Sequence, residues 1–325
     1  MKTTSVEILL NDGVHDKKRL KELQALPLDR KIQISQARII EWYEHYGGQV
    51  YVSFSGGKDS TVLLDLVRRA YPEVPGVFAD TGLEFPAIRE FVKSVDNIVW
   101  IQPEMHFKEV IKKYGWCYPN KDVAQTIRYA RAGNERAIRT MNAIDKNGNH
   151  SDFLESKYGQ YRFLMDLPYE FSDQCCIIMK ERPMDVYGKE SGRKPYVGTT
   201  AIESQRRTNS WIQTGCNAFD SDRPRSMPLA FWTEQDILEY IYTFNIPYAH
   251  EIYGGIWRQK DGKYVNALEK RTGCMFCPIA CHLDHPNKFE RMKSVYPKLY
   301  EYCMKPMENG GLGMDKFLTD IGVEH

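Results

Sequence analysis

The sequence contains no apolar run that approaches the ~20 residues a helix needs to span a bilayer. It therefore predicts a protein without a membrane partner. Met1 to Gly13 also lacks the continuous apolar core of a signal peptide, so we expect a cytoplasmic chain. In that reducing compartment, the eight cysteines are more suited to metal binding or chemistry than to structural disulfides. No internal repeat or low-complexity stretch is present, which argues against a repeat protein.

An excess of charge of either sign is also missing. Lys and Arg number 44 against 43 Asp and Glu, which gives a net charge of +1. This balance excludes a basic field over the whole molecule of the kind that attracts nucleic acid, although a local patch stays open. The 325 residues, 42% hydrophobic and 27% charged, suit a globular enzyme with one large domain or a domain and an appendage.

Short β-rich segments alternate with helical ones from residue 28 onward. The periodicity predicts helices over 28–47, 60–70, 85–95 and 232–243, and strands over 49–54, 75–79, 97–101 and 194–199. Thr233 is suited to cap the last of these helices, with Asp236 three residues on completing a capping box. Alternation of this kind predicts βαβ units and a parallel sheet.

The segment Ser55-Gly56-Gly57-Lys58-Asp59-Ser60 lies between a predicted strand and a predicted helix. Its two glycines allow a tight turn and a close approach of the backbone to a phosphate. The helix that follows directs its free N–H groups and the positive end of its dipole at the same point. Lys58 adds a charge, and Ser55 and Ser60 add hydroxyl groups. The Walker pattern is not met, so the segment predicts a phosphate loop of another type.

This loop resembles that of the PP-loop superfamily, the ATP pyrophosphatases and their relatives. Further motifs narrow the resemblance to the phosphoadenosine phosphosulfate (PAPS) and adenosine phosphosulfate reductase family, over roughly residues 35–300. In chain order, these motifs are Asp80-Thr81-Gly82-Leu83-Glu84, Cys175-Cys176 with Lys180 and Pro183, residues 198–207, residues 228–237 and Ile246-Pro247-Tyr248.

The resemblance implies an α/β fold with a Rossmann-like, doubly wound, mostly parallel sheet and the nucleotide at the carboxyl ends of the strands. The residues it implies for nucleotide binding are Ser53, Phe54, Ser55, Gly56, Gly57, Lys58, Asp59, Ser60, Asp80, Thr81, Gly82, Gly198, Thr199, Glu203 and Arg207. Among these, Lys58, Asp59 and Arg207 are the catalytic candidates. The alternatives are a helix cap for Asp80 and a surface ion pair for Arg207.

The expected organisation has three parts, with a helical insertion in the second. They are an N-terminal extension over 1–27, a nucleotide-binding domain over 28–250 with the insertion at about 121–160, and a cysteine-rich region over 251–325. Four arginines recur through the insertion at near-helical spacing: Arg128, Arg131, Arg136 and Arg139. We interpret them either as a solvated helix face or as a lid that contacts an anionic substrate.

The cysteines form a second candidate site. Cys175 and Cys176 are adjacent, and Cys274 and Cys277 form a Cys-x-x-Cys pair. A four-iron cluster takes one thiolate per iron, whereas two adjacent ligands are awkward on a single zinc ion. The iron–sulfur branch of the reductase family has the same pattern, so we expect a [4Fe–4S] cluster on these four residues. Zinc with Cys281 or His282, plain buried thiols, and Cys281 in place of one adjacent cysteine are the alternatives.

Two departures from the family bear on the reaction. The reductases carry a catalytic cysteine in a C-terminal tail, whereas no cysteine follows Cys303 here, and the usual Gly-Ile-Arg reads Gly198-Thr199-Thr200. One hypothesis is a sulfonucleotide reductase with Cys216 or Cys303 as nucleophile and a thioredoxin-like reductant. Another is an ATP-using enzyme with Mg²⁺ that adenylates tRNA or the DNA backbone for sulfur insertion. A non-catalytic nucleotide sensor is a third, and homo-oligomerisation stays open.

Overall fold

The structure is a computed structural model, and it describes residues 15–325. The first 14 residues, half of the predicted N-terminal extension, lie outside this description. The described chain forms two compact units that do not follow chain order. The first comprises residues up to Asp80, Glu84–Gln102 and Pro183–Thr272, and the second comprises Thr81–Leu83, Pro103–Arg182 and Gly273–His325. The three-part division expected from the sequence stays a prediction.

The described residues form eight strands and, besides short 3₁₀ helices and the π-helical segment Ile177–Glu181, sixteen α-helices. The strands are β1 Val50–Ser53, β2 Gly76–Ala79, β3 Ile98–Ile101, β4 Lys194–Val197, β5 Asn217–Ala218, β6 Arg225–Ser226, β7 Ile256–Arg258 and β8 Tyr264–Asn266. The helices are α1 Lys17–Gln24, α2 Leu28–His45, α3 Lys58–Ala70, α4 Pro86–Lys93, α5 Phe107–Tyr114, α6 Lys121–Arg131, α7 Glu135–Met141, α8 Asp152–Lys157, α9 Gln174–Cys176, α10 Arg182–Ser191, α11 Gln205–Thr214, α12 Glu234–Phe244, α13 His250–Tyr253, α14 Lys288–Val295, α15 Pro297–Met304 and α16 Met314–Asp320.

A six-stranded sheet in the order β3-β2-β1-β4-β6-β5 forms the centre of the first unit. Every neighbouring pair is parallel except β5 with β6. The chain proceeds outward from β1 to β3 on one side and resumes at β4 on the other. The strand order therefore reverses between β1 and β4, and the doubly wound, mostly parallel fold is confirmed. In such sheets this reversal marks the ligand crevice.

Helix α3 shows why the first unit folds around β1. Its apolar positions Val62, Leu63, Leu66 and Val67 are all fully buried, as their helical spacing predicts. Burying each such side chain stabilises the fold by about 1.5–3 kcal/mol. Because α3 is packed in this way, its first turn has a fixed position at the carboxyl end of β1.

The capping box of α12 is confirmed. The Thr233 amide donates to Asp236 Oδ2 at 2.6 Å, and the Asp236 amide donates to Thr233 Oγ1 at 3.4 Å. The same aspartate oxygen accepts from Lys31 Nζ of α2 at 2.6 Å, in an ion pair that is almost completely buried. The short sequence motif thus fixes both the start of α12 and its attachment to α2.

Helices α6, α7 and α8 confirm that the 121–160 segment of the second unit is partly helical. Arg128 pairs with Asp173 at 3.1 Å, and the Arg131 guanidinium donates to several backbone carbonyls, including that of Leu167 at 2.8 Å. These two arginines therefore support the fold of their own unit, which neither sequence interpretation anticipated. Across residues 15–325, none of the helices combines the length and apolar character required to cross a bilayer.

Candidate functional site

The phosphate loop leaves β1 through a turn that requires glycine. Gly56 has a φ of +71°, in the left-handed region that side chains disfavour. A Cβ at this position would lie 2.8 Å from Val92 Cγ2 and 2.9 Å from Ile88 Cγ2 of α4. Backbone conformation and packing thus both exclude a side chain, and the loop is held closely against α4.

Hydroxyl groups hold the shape of the loop. The Gly57 amide donates to Ser55 Oγ at 3.3 Å, and Ser55 Oγ lies 3.0 Å from Ser60 Oγ. Ser60 Oγ in turn donates to the Gly57 carbonyl at 2.9 Å. Helix α3 begins after Gly57 with no side-chain cap, so its first turn presents backbone donors, as helix termini that bind anions do.

The Lys58 side chain is buried, and its charge is partnered. Its Nζ donates to the Lys270 carbonyl at 2.7 Å and lies 3.3 Å from Glu234 Oε1. Its backbone N–H donates to Tyr253 Oη at 3.2 Å, and that hydroxyl lies 2.9 Å from Thr272 Oγ1. The loop lysine is therefore held by residues far away in the sequence, one of which is the partly exposed carboxylate of Glu234.

Asp59 is the half-buried acid of the loop. Burial raises the pKa of its carboxyl group, and the Lys58 ammonium opposes that shift. Glu203 and Glu234 raise the same pKa, while the Arg271 guanidinium lowers it. The Asp59 carboxyl group therefore interacts with charges of both signs, as expected for a residue in a polar ligand site.

The end of β4 lies against the loop. A Cβ on Gly198 would lie 3.1 Å from Ser60 Cα and 3.2 Å from the Asp59 carbonyl oxygen. Only glycine allows this approach without a shift of the backbone. The predicted residue Thr199 follows directly, and its amide donates to the Val197 carbonyl at 3.0 Å. The structure thus brings the ends of β1 and β4 together at the point where the strand order reverses.

Glu203 stands between two arginines. Its Oε2 forms an ion pair with Arg207 Nη1 and lies 3.9 Å from Arg271 Nη1. Its Oε1 accepts from the amide and the hydroxyl of Thr200, both at 3.2 Å. The ion pair considered as the alternative for Arg207 exists, and its partner belongs to the predicted site.

The residues that sequence analysis missed around the loop are Glu234, Tyr253, Lys270, Arg271 and Thr272. The one available signal was the charged run Glu269-Lys270-Arg271, immediately before the Cys-x-x-Cys pair.

The other predicted nucleotide residues lie in more varied surroundings. Asp80 Oδ2 pairs with Arg89 Nη2 of α4 at 2.7 Å, whereas that helix begins after Phe85, so Asp80 does not cap it. Phe54 is buried in the core of the first unit, and Ser53 is the last residue of β1. Two more predicted residues, Thr81 and Gly82, belong to the second unit and line a surface depression there with Lys108 and Tyr302.

A narrow cavity in the second unit is lined by five cysteines. They are Cys117, Cys175, Cys176, Cys274 and Cys277. Apolar side chains, among them Phe107, Ile111 and Met179, form much of the remaining wall, together with Lys180. The structure thus brings the four predicted cluster ligands together. It adds Cys117, and it does not place Cys281 in the wall.

Cys117 is buried in this cavity, and the four predicted cluster ligands are half-buried. Burial raises the pKa of Cys175, and it raises that of Cys277 to about 11. Burial also raises the pKa of Cys176, where Lys121 and Lys180 oppose the shift. Soft sulfur donors with lysines nearby are the residue types that an iron–sulfur cluster takes. Within residues 15–325, no three His, Cys, Asp or Glu side chains form a group suited to hold a metal ion.

The remaining cysteines are buried. Cys216 is 4% exposed and Cys303 is fully buried, which raises the pKa of the Cys303 thiol. Cys281 is also buried, with a pKa raised to about 12, and the neighbouring His282 Nε2 lies 3.1 Å from Tyr161 Oη. A buried thiol of raised pKa is a poor nucleophile, because the thiolate is the reactive form.

Comparisons with known proteins show which family the chain resembles. The model of the phosphoadenosine phosphosulfate reductase domain matches residues 49–280. An adenosine 5′-phosphosulfate reductase of Staphylococcus haemolyticus is 27% identical over 217 residues, which are 65% of this chain and 68% of that protein. An uncharacterised protein of Methanocaldococcus jannaschii is 24% identical over 287 residues, 86% of this chain and 53% of its own length.

Two further likenesses complete the comparison. Sulfate adenylyltransferase subunit 2 of Streptomyces lavendulae is 25% identical over 219 residues, 63% of this chain and 60% of that protein. The chain thus spans about half to two thirds of the length of these relatives. A crystal structure of PAPS reductase from Candida auris, in complex with phosphate, has a TM-score of 0.38 and 16% identity. That likeness covers 73% of this chain and 90% of the other.

Proposed function

The chain belongs to the phosphoadenosine phosphosulfate reductase domain family, and from that premise we propose that it binds an adenine nucleotide at its phosphate loop and acts in sulfur transfer or sulfonucleotide reduction. The observation that carries this proposal is the position of the loop. Ser55 to Ser60 follow β1 at the reversal of strand order, where the backbone of Gly198 joins them. Doubly wound sheets bind their ligands at this point.

The chemistry of the loop suits a phosphate or a sulfate. The first turn of α3 offers backbone donors, and Lys58 of the same turn supplies a buried charge. When an anion binds, the Lys58 ammonium exchanges Glu234 for the ligand. Lys58, Asp59 and Arg207 are then the residues that orient and stabilise the reacting group, with Mg²⁺ as a further requirement if the substrate is ATP.

The cysteine cavity is the second element of the proposal. Cys175, Cys176, Cys274 and Cys277 would hold a [4Fe–4S] cluster, which when bound would supply a centre for electron or sulfur transfer. The protein's own part is to exclude water with apolar walls and to offset the negative charge of the thiolates with Lys121 and Lys180. Zinc is the alternative metal at this site, and metal analysis distinguishes it from iron.

Burial of the other cysteines favours a second candidate reaction. Cys216 is 4% exposed and Cys303 is fully buried, which leaves neither well placed to attack a sulfonucleotide. An adenylating enzyme needs no such thiol. In that reaction a nucleophilic oxygen of the substrate, tRNA for example, attacks the α-phosphorus of ATP. Pyrophosphate leaves with the bonding electron pair, and the substrate carries the adenylyl group.

One assay separates the candidates. The protein is offered PAPS, adenosine phosphosulfate and ATP separately, with thioredoxin and reductant present, and both sulfite and pyrophosphate are measured. Sulfite from either sulfonucleotide supports a reductase. Release of pyrophosphate from ATP, if it occurs only when a nucleic acid is added, supports adenylation. Binding of a nucleotide with neither product indicates a sensor, and absence of any nucleotide binding refutes the proposal.

A further inference from the structure

We propose that Arg207 and Arg271 form an anion clamp in which Glu203 is an exchangeable placeholder, and that this clamp selects nucleotides with a second anionic group. The inference rests on the proposed function, because it assumes that the phosphate loop binds a nucleotide. It adds a residue, Arg271, that the sequence motifs do not mark, and it assigns to Glu203 a role other than contact with the ligand.

The clamp is visible as two guanidinium groups on one carboxylate oxygen. Arg207 Nη1 is paired with Glu203 Oε2, and Arg271 Nη1 lies 3.9 Å from the same atom. The arginine side chains are 41% and 63% exposed, whereas Glu203 is 20% exposed. Each guanidinium has five N–H donors, so one shared carboxylate oxygen leaves most of them available to a ligand.

Glu203 is anchored from its other side. Its Oε1 accepts from the amide and the hydroxyl of Thr200, which closes a capping box on the 3₁₀ turn Ala201–Glu203. The carboxylate therefore holds its position whether or not the arginines stay on Oε2. A tetrahedral dianion offers more charge and more acceptor sites than one carboxylate oxygen, so it can take both arginines from Glu203.

The residues on either side of Arg271 place it at the rim of the loop. The Lys270 carbonyl accepts from Lys58 Nζ at 2.7 Å. On the other side, Thr272 Oγ1 would lie 3.3 Å from a Cβ on Gly57. Because the residues before and after it both contact the loop, Arg271 is held within the same site.

This arrangement provides one cationic site for each of two anionic groups of the ligand. Lys58 and the first turn of α3 are placed for one phosphate, and the clamp is placed for the anionic group that follows it. AMP has only the first group, whereas ADP and adenosine phosphosulfate have both. The clamp should therefore affect the affinity for the two longer ligands and leave that for AMP almost unchanged.

Calorimetric titration with AMP, ADP and adenosine phosphosulfate tests this assignment in the full chain. Arg271→Ala should lower the affinity for ADP and for adenosine phosphosulfate by about tenfold or more, which is the effect of a lost charge-assisted contact. The affinity for AMP should change by less than about twofold. Arg271→Lys should recover part of the loss. Arg258→Ala is the matched control, because that exposed arginine lies on β7 in the same unit and should change no affinity.

Glu203→Gln tests the placeholder itself. Glutamine keeps the acceptor for Thr200 and removes the charge that competes with the ligand, so ADP should bind several-fold more tightly. Weaker binding would show that Glu203 serves the ligand, through a cation for example, and would overturn the placeholder role. Thermal unfolding of each variant confirms that the fold persists.

The outcomes separate this inference from the proposed function. If wild-type protein binds nucleotides and Lys58→Ala prevents it while Arg271→Ala changes nothing, the clamp is wrong and the function stands. An equal loss of affinity for AMP and ADP in Arg271→Ala would also overturn the clamp, because a contact with the second anionic group cannot affect AMP. If wild-type protein binds no nucleotide, inorganic pyrophosphate becomes the probe. Binding that depends on Arg271 would then support the clamp alone, and no binding would refute both.

Discussion

Lys58 Nζ lies 3.3 Å from Glu234 Oε1, and this pair joins the phosphate loop to the start of α12. The lysine side chain is 5% exposed, whereas the glutamate is 45% exposed. The cation is thus fixed by burial, while its anionic partner reaches into solvent and can be replaced at little cost. The loop lysine is therefore held in place by a partner that is itself largely exposed to solvent.

Lys58→Ala should abolish tight binding of adenine nucleotides and leave the fold intact. A charge-assisted contact to phosphate contributes on the order of 1.5–3 kcal/mol, so affinity should fall by at least about tenfold. Calorimetric titration with ATP and with a sulfonucleotide measures the change. Lys93→Ala, an exposed lysine on α4, is the control and should bind like wild type. Unchanged affinity of Lys58→Ala for every adenine nucleotide would remove this lysine from the site.

The raised pKa of Asp59 predicts that the free energy of unfolding depends on pH. Because burial raises its pKa in the folded state, the folded protein binds more protons than the unfolded chain as pH rises above the ordinary aspartate value. Asp59 therefore lowers the free energy of unfolding progressively over that window, and the loss is complete above its folded pKa.

Asp59→Asn should remove this effect. Urea unfolding at a series of pH values should show that the variant gains stability over wild type as pH increases above the ordinary pKa of aspartate. Asp152→Asn, at a fully exposed aspartate, should follow the wild-type curve. A variant less stable than wild type at neutral pH would show that the Asp59 carboxylate contributes favourably to the fold.

The cysteine cavity predicts the metal content. Protein purified without oxygen should be brown and contain about four irons and four sulfides per chain. Cys274→Ala or Cys277→Ala should lose the colour and much of the stability, because cluster binding and folding are coupled. Cys281→Ala should keep the colour, since Cys281 does not line the cavity. A colourless anaerobic preparation with stoichiometric zinc would contradict the cluster assignment.

Local patterns allowed much of the loop and the sheet to be predicted. Glycines at a strand-to-helix junction specify a turn, and the box from Thr233 to Asp236 specifies a helix start, because each depends on neighbours within a few residues. Arg271 and Cys117 could not be found in this way. Arg271 lies near Glu203, which belongs to a distant part of the chain, and Cys117 joins cysteines from two other segments, so both depend on tertiary packing.

The contacts of the arginines in the 121–160 segment could not be predicted from their spacing in the sequence. Arg128 and Arg131 lie on α6, whereas Arg136 and Arg139 lie on α7. Spacing along the sequence also does not reveal what a side chain contacts. Arg131 donates to backbone carbonyls of a neighbouring turn, Leu167 among them, which no periodicity in the sequence indicates.

The last prediction concerns the reaction. Reduction of a sulfonucleotide through a protein thiol requires a thiolate that attacks sulfur, and a second thiol that then releases sulfite. Thiols bound to iron cannot serve, and burial raises the pKa of both Cys117 and Cys303. Cys216 is 4% exposed. We therefore expect a poor thioredoxin-dependent reductase.

The test offers adenosine phosphosulfate and PAPS to wild type, Cys216→Ser and Cys303→Ser, with thioredoxin and reductant present. Slow sulfite release that neither substitution changes is the expected result, because a thiol enclosed in the core reaches the ligand only when the structure opens. Alkylation by iodoacetamide provides a readout independent of turnover, and both cysteines should react slowly until denaturant is added. Rapid sulfite release abolished by either serine variant would establish a nucleophile that burial conceals, and would restore the reductase as the leading function.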